Sequence, residues 1–216
     1  LDKGAEIYRF MMTAYDTTAG GGLYWEEGKP TKNTCSNGPG ILLALQLHLA
    51  TNEKSYLDTA LMLYEWTNKN LQDGSKLYLD NINTKTGKVD GRKYSYNTGT
   101  MLQANVYLYE ITNEKKYLDR ALEIADAAVP FFYGSGKFKD NLWFNAVMLR
   151  GFIHLRKHNT SDKYLDAFRK CTENELRTNK NKNGLIGVTK LSDLVGQGGM
   201  TEILVRFANL PVKKAG

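Results

Sequence analysis

Carboxylates that stand outside the stretches of helical apolar spacing are Asp16, Glu26, Glu27, Asp80, Asp90, Asp140 and Asp193. Cleavage of a glycosidic bond ordinarily needs two carboxyl groups facing each other across the bond, one protonated acid and one base or nucleophile. Glu26 and Glu27 are adjacent, and their plainer reading is as ordinary surface carboxylates. Around the acids lie aromatic and amide side chains. Gly20-Gly21-Gly22-Leu23-Tyr24-Trp25 is followed by Lys32-Asn33-Thr34-Cys35-Ser36-Asn37. Further on, Tyr78-Leu79-Asp80-Asn81 is followed by Asp90-Gly91-Arg92-Lys93-Tyr94-Ser95-Tyr96-Asn97-Thr98-Gly99. Trp and Tyr beside Asn, Asp and Arg suit a sugar, whose apolar face stacks on a ring while its hydroxyls need paired donors and acceptors. The structural reading of the same residues is that the aromatics close the end of a helical core while Gly and Asn shape turns.

Other chemistries find less support. There is no Walker loop, no GxSxG elbow and no HExxH helix. Gly196-Gln197-Gly198-Gly199 does not follow a strand pattern, so it is not read as a phosphate cradle. Cys35 and Cys171 lack any metal-ligand spacing, and His48, His154 and His158 sit in helical stretches, so neither a metal nor a cofactor is expected. The net charge is +6, but the lysines form only short clusters near 29–32, 180–182 and 213–214, which reads as a solvated basic surface with no nucleic-acid partner. No apolar run approaches the roughly 18 residues of a membrane span. With 216 residues, 42% hydrophobic and 24% charged, the chain has the composition of a single globular domain. The N-terminus (Leu1-Asp2-Lys3-Gly4) has neither an initiator Met nor a basic-then-apolar leader, so the chain is expected to begin inside a longer gene product.

The elements that position these residues show in an internal repeat. Thr51-Asn-Glu-Lys-Ser-Tyr-Leu-Asp-Thr-Ala-Leu61 returns as Thr112-Asn-Glu-Lys-Lys-Tyr-Leu-Asp-Arg-Ala-Leu122, and more loosely over 160–168. A recurring period of this kind means a recurring supersecondary unit, here a helical hairpin. The upstream helices, over 41–50, 101–111 and 143–152, are apolar nearly all round and are expected to be buried on most sides. The downstream helices, near 54–71, 115–129 and 162–177, mix apolar spacing with charge and read as an outer layer. Their acids Asp58, Asp119 and Asp166 are read as surface residues. Helices near 3–15 and 197–209 bracket the hairpins, for about eight helices and no convincing strand. Alternating inner and outer helices suggest an all-α toroid. Turns after inner helices are short. The segments before them, 17–37, 77–98, 131–141 and 179–197, are long and should share one rim, where ordered loops carry binding and catalysis.

Gly20-Gly-Gly-Leu-Tyr-Trp25, Lys32-Asn33 with Asn37, Tyr96-Asn97-Thr98-Gly99 and the Thr-Asn-Glu-x-x-Tyr-Leu hairpins together resemble glycoside hydrolase family 76 over about residues 1 to 210. The resemblance implies an (α/α)6 barrel acting on α-1,6-linked mannan by a retaining, endo mechanism, with two consecutive aspartates as nucleophile and acid/base. Those aspartates precede the Gly-Gly-Gly segment in the family, and this sequence contains no Asp-Asp pair. About eight helices against twelve imply an incomplete barrel, a single catalytic-type domain over 1–216 lacking its N-terminal third. The resemblance carries glycan-site roles to Trp25, Lys32, Asn33, Asn37, Asp80, Tyr96, Asn97 and Gly99 and no catalytic role to any residue here. Trp25 and Tyr96 would stack on or border sugar rings. Asn33, Asn37, Asp80 and Asn97 would bind hydroxyls or orient the aspartates, and Gly99 would permit close backbone approach. Thr98 stands where many members have Gln. A polysaccharide or oligosaccharide partner and a secreted, periplasmic or cell-surface location follow from that substrate class. The alternatives are another α/α-toroid sugar enzyme, an epimerase or uronyl hydrolase, and a non-catalytic glycan-binding protein.

Overall fold

The computed structural model describes residues 1–159, 161–186 and 194–210. Inner helices α2 (Thr34–Thr51), α4 (Ser95–Thr112) and α6 (Leu142–Leu155) pack side by side. Each is followed by an outer helix: α3 (Lys54–Leu71), α5 (Lys115–Ala128) and α7 (Lys163–Thr178). Helix α1 (Asp2–Met12) packs on α2, and α8 (Leu194–Ala208) packs on α6. The described residues therefore form an arc of an α/α toroid with eight α-helices, and none of these is long and apolar enough to cross a membrane.

The repeated Thr-Asn-Glu makes the same turn twice. Asn52 and Asn113 adopt left-handed backbone (φ 60° and 57°) and donate their N–H groups to the carbonyls of His48 and Tyr109. Thr51 Oγ1 and Thr112 Oγ1 each accept from the N–H of the following Glu at 3.2 Å. Asparagine tolerates this conformation better than other non-glycine residues, so it stops one helix and turns the chain into the next. The pairs Lys54–Asp58 and Lys115–Asp119 lie on exposed helix faces, where such pairs contribute little. Thr160, which opens the looser third copy, lies outside the described residues.

Helices α4 and α8 approach α6 backbone to backbone through glycine. A Cβ on Gly99 would lie 2.6 Å from Met148 Cα, one on Gly151 would lie 2.9 Å from the Gly99 carbonyl oxygen, and one on Gly199 would lie 2.7 Å from the Leu142 carbonyl carbon. Large apolar side chains, among them Ile41, Leu45, Leu63, Met101, Phe152 and Phe168, fill the space between the two layers. Cys171 is buried in this core, and desolvation pushes its thiol up to about 11.

The expectation of no strands is corrected. Short strands β1 (Thr31–Asn33), β2 (Leu79–Asn83) and β3 (Val89–Lys93) form an antiparallel sheet in the order β1-β2-β3, with Asn33 opposite Asn81. Lys, Asn, Asp and Arg dominate these strands, so the alternation that marks a half-buried strand is missing. Their pairing is set by the helices that bring the loops together and by Asn83 Oδ1, which accepts from Lys85 N and Thr86 N at the hairpin. The inner helices also start earlier than their apolar runs indicate. The first turns of α2 and α4 carry polar residues at the loop-bearing rim.

Candidate glycan-binding rim

The glycine segment is a loop held from below. Gly20, Gly21 and Gly22 have φ of 81°, 123° and 83°, which side chains with a Cβ rarely adopt. A Cβ on Gly22 would fall 2.6 Å from the ring of Trp66, whose Nε1 donates to the Ala19 carbonyl at 2.9 Å. Lys32, in β1, is 0% exposed. Its Nζ lies 3.0, 2.9 and 2.8 Å from the carbonyl oxygens of Asp16, Thr18 and Gly21, and 2.5 Å from Asp16 Oδ1. The hydrogen bond from Lys32 is the main cause holding the Asp16 carboxyl below its ordinary value. Asn37 is equally saturated: its Oδ1 accepts from Leu23 N at 2.9 Å, and its Nδ2 donates to the carbonyls of Leu23 and Asn33. The structure thus places Lys32 and Asn37 inside, with their polar atoms committed to the loop.

Trp25 sits at the end of that loop, 55% exposed, with its N–H on the Thr31 carbonyl. It lines a hollow of about 830 Å³ together with Phe10, Met11, Glu26, Glu27 and Ser36. Across the sheet, Asp80 is nearly buried; its Oδ2 accepts from Asn81 Nδ2 at 3.0 Å and lies 3.5 Å from Arg92 Nη2. Arg92 is held in turn by Asp90, 2.6 Å from Nη2, and this bond keeps the Asp90 carboxyl below its usual range. Asn33 precedes α2; its Oδ1 is buried with no protein partner.

At the start of α4, Ser95 N donates to Asp140 Oδ2 at 2.5 Å, so the third long loop caps the helix that carries Tyr96 and Asn97. Burial pushes the Tyr96 hydroxyl up, with further contributions from Cys35 and Asp80, which places all three side chains in one electrostatic neighbourhood. Burial likewise raises the Cys35 thiol, leaving it a poor nucleophile. Asn97 is 0% exposed, and neither Oδ1 nor Nδ2 meets a protein partner. Gly99 makes a close backbone approach to α6.

The rim therefore brings together Asn33, Asp80, Tyr96 and Asn97, with Trp25 across the first turn of α2. Sequence reasoning missed the duty of Asp16 beneath Lys32, the cap by Asp140, and Trp143 and Phe144 at the start of α6, which pack against Tyr96. A Trp-Phe pair opening an inner helix was the available signal. Asp193 lies outside the described residues.

A second polar cluster ties α4 to α6 near their C-terminal ends. Glu110 Oε2 is 2.9 Å from His154 Nε2, and Oε1 is 2.8 Å from His158 Nε2. Burial holds the imidazole of His154 below its ordinary value; Glu110 also stays below its own, as His158 and His154 outweigh its partial burial. Both shifts are depressions. The stability from His154 is therefore present above 6.5 and lost below it, and that from Glu110 is present above 4.5 and lost below it. The urea midpoint is expected to fall as pH falls from 7 through this window, and His154→Gln should flatten the upper part of the fall; an unchanged slope would remove the cluster as its source.

Comparison with known proteins places these features in context. The model of glycosyl hydrolase family 76 matches residues 1–185. A mannan endo-1,6-alpha-mannosidase of Saccharomyces cerevisiae is 31% identical over 143 residues, covering 59% of this chain and 31% of that protein. A family 76 mannosidase structure from Bacteroides thetaiotaomicron superposes with a TM-score of 0.82 at 31% identity, covering 94% of this chain and 62% of the other. An alpha-1,6-mannanase from a Salegentibacter species gives 0.83 at 25% identity, covering 94% and 67%. A variant of that mannanase with two consecutive aspartates replaced is described as inactive and was solved with alpha-1,6-mannotetrose. The chain spans about three tenths of the length of the curated relatives it matches.

Proposed function

Because this chain belongs to glycosyl hydrolase family 76, we propose that it supplies the aromatic and amide side of a glycosidase that cleaves α-1,6-linked mannan, as part of one catalytic domain. The observation that carries this reading is the convergence of Asn33, Asp80, Tyr96 and Asn97 at the N-terminal ends of two inner helices, beside an open Trp25. Trp25 offers a ring face for the apolar side of a sugar, and Tyr96 borders the next. Asp80 accepts from hydroxyls, and the buried amides of Asn33 and Asn97 pair with hydroxyls or with the catalytic carboxylates. Lys32 and Asn37 act by holding the loop, and Gly99 acts by letting α4 and α6 meet.

No Asp-Asp pair occurs in residues 1–216, so the nucleophile and the acid/base are assigned to another segment of the protein. In a retaining reaction one carboxyl protonates the departing glycosidic oxygen while the other attacks the anomeric carbon; water then releases the sugar. Rim hydrogen bonds that tighten as the sugar ring flattens lower the barrier, because only interactions stronger in the transition state do so. A polymer too large to enter a cell is met outside the cytoplasm, which supports a secreted, periplasmic or cell-surface enzyme.

The test is incubation of the protein that carries this chain with linear α-1,6-mannan, with release of manno-oligosaccharides expected. Binding without release would turn the reading into a non-catalytic glycan binder; neither binding nor release would end it. Residues 1–216 alone should bind weakly and hydrolyse nothing. In the active protein, Trp25→Ala should raise KM by about tenfold, the scale of one lost ring contact. Lys54→Ala, on an exposed helix face, should stay within about twofold. Equal effects would show that the long-loop rim is not the working face.

A further inference from the structure

We propose that Trp143 is a second stacking platform for a sugar unit, separate from Trp25, so that the bound glycan crosses the rim and touches both. This rests on the mannan reading above and deepens it. Trp143 lies in the first turn of α6 and is 44% exposed, although the residues around it are packed. Its ring lies nearly parallel to Tyr96, 6.0 Å between centroids at 27°, and Tyr96 lies nearly parallel to Tyr94, 5.8 Å at 23°. Phe144 wedges against all three, 4.1 Å from Tyr96, 5.1 Å from Trp143 and 5.6 Å from Tyr94. The plane of the indole is therefore set by its neighbours, and Trp143 remains the open end of the stack. A rigid, pre-oriented aromatic face loses little entropy on receiving a sugar, which is what a carbohydrate platform requires.

The surroundings combine apolar side chains (Leu42, Leu43, Val147, Ile153) with hydrogen-bonding groups and the cations Lys157 and Arg206, a mixed wall against which an amphipathic sugar can lie. Trp143 lines a groove of about 710 Å³ with Cys35, Tyr96, Gln103, Tyr107 and Arg150. Gln103 and Tyr107 offer amide and phenol groups, while Arg150 is held by Glu202 through two contacts of 2.7 Å and stays within the groove wall. The groove adjoins the described site, since Tyr96 lines it and Asn97 follows Tyr96 in the first turn of α4. It is distinct from the hollow under Trp25: the successive residues Cys35 and Ser36 of α2 line the groove and the hollow respectively. The two indoles thus flank the first turn of α2, and one glycan reaching both must pass over it. A tetrasaccharide engaging both rings gains a contact that a disaccharide seated on one of them lacks.

The test uses the whole protein that carries this chain. Dissociation constants for α-1,6-mannotetraose and α-1,6-mannobiose are measured calorimetrically for the parent, Trp143→Ala and Trp143→Phe, together with melting temperatures. Trp143→Ala should weaken mannotetraose by about five- to tenfold, the scale of one aromatic contact, and Trp143→Phe by about twofold. The ratio of the two affinities, tetraose over biose, should fall in Trp143→Ala, which loss of packing alone would not produce. Equal weakening toward both sugars, or no weakening, overturns the platform while leaving the mannan reading in place. A parent that neither binds nor cleaves mannotetraose overturns the mannan reading, and the platform with it.

Discussion

Lys32→Met is expected to lower folding stability by about 2 kcal/mol, because the buried Gly21 carbonyl stripped of its donor costs about 1 to 3 kcal/mol and the part-buried acceptors on Asp16 and Thr18 lose theirs at the same time. The ammonium is the shared donor for the carbonyls of Asp16, Thr18 and Gly21 and for the Asp16 carboxylate. Methionine matches the stem and fills the same space, so the loss reports the polar head. With the head gone, the glycine loop has no centre around which to close, and Trp25 loses its fixed position. Urea unfolding and mannotetraose binding should therefore fail together in the active protein. A stability loss below about 1 kcal/mol would show that the loop is held by Asn37 and Trp66 alone.

The second large effect is expected at Gly99. Gly99→Ala adds a carbon 2.6 Å from Met148 Cα and 3.0 Å from Met148 N, both backbone atoms of α6. A side chain can rotate away, but a helix backbone has to move as a body. Overpacking of this kind costs about 1 to 3 kcal/mol or more. The displacement falls on the turn that carries Tyr96 and Asn97 and on the helix that carries Trp143, so glycan affinity should drop along with stability. Gly74→Ala is the control: nothing lies within 4 Å of its added carbon, and the reduced freedom of the unfolded chain makes it neutral or slightly stabilising. Equal melting temperatures for the two variants would show that α4 and α6 are not in tight register at Gly99.

Most of the helical plan was legible because it is written locally. The Thr-Asn-Glu turns recur, and the left-handed Asn that each contains stops the chain where the repeat says it should. All-round apolarity marked α2, α4 and α6 as inner helices, and mixed charge marked α3, α5 and α7 as outer. Loop lengths then put the Trp25, Asp80 and Tyr96 segments on one rim. The strands were not legible, since β1, β2 and β3 have no alternation of their own; β2 and β3 pair as a local hairpin, while β1 meets β2 only because helices far apart in sequence hold their loops side by side. Nor was the duty of Asp140, a loop carboxylate until the start of α4 is seen to rest on it.

By itself the amino-acid order determined the hairpins, their alternation of inner and outer faces, and which segments stand at the mouth. These depend on backbone preferences and on burial patterns that act within a few turns of chain. Only the tertiary structure decided which side chains at that mouth are committed. A lysine and an asparagine look as available as any other polar residue in a string of letters, yet Lys32 and Asn37 are saturated by partners 4 to 16 residues away. Trp143 stays open because Tyr96 and Phe144, from two different helices, fill the space on one side of it. Availability of a side chain is a property of its neighbours, and those neighbours are chosen by packing.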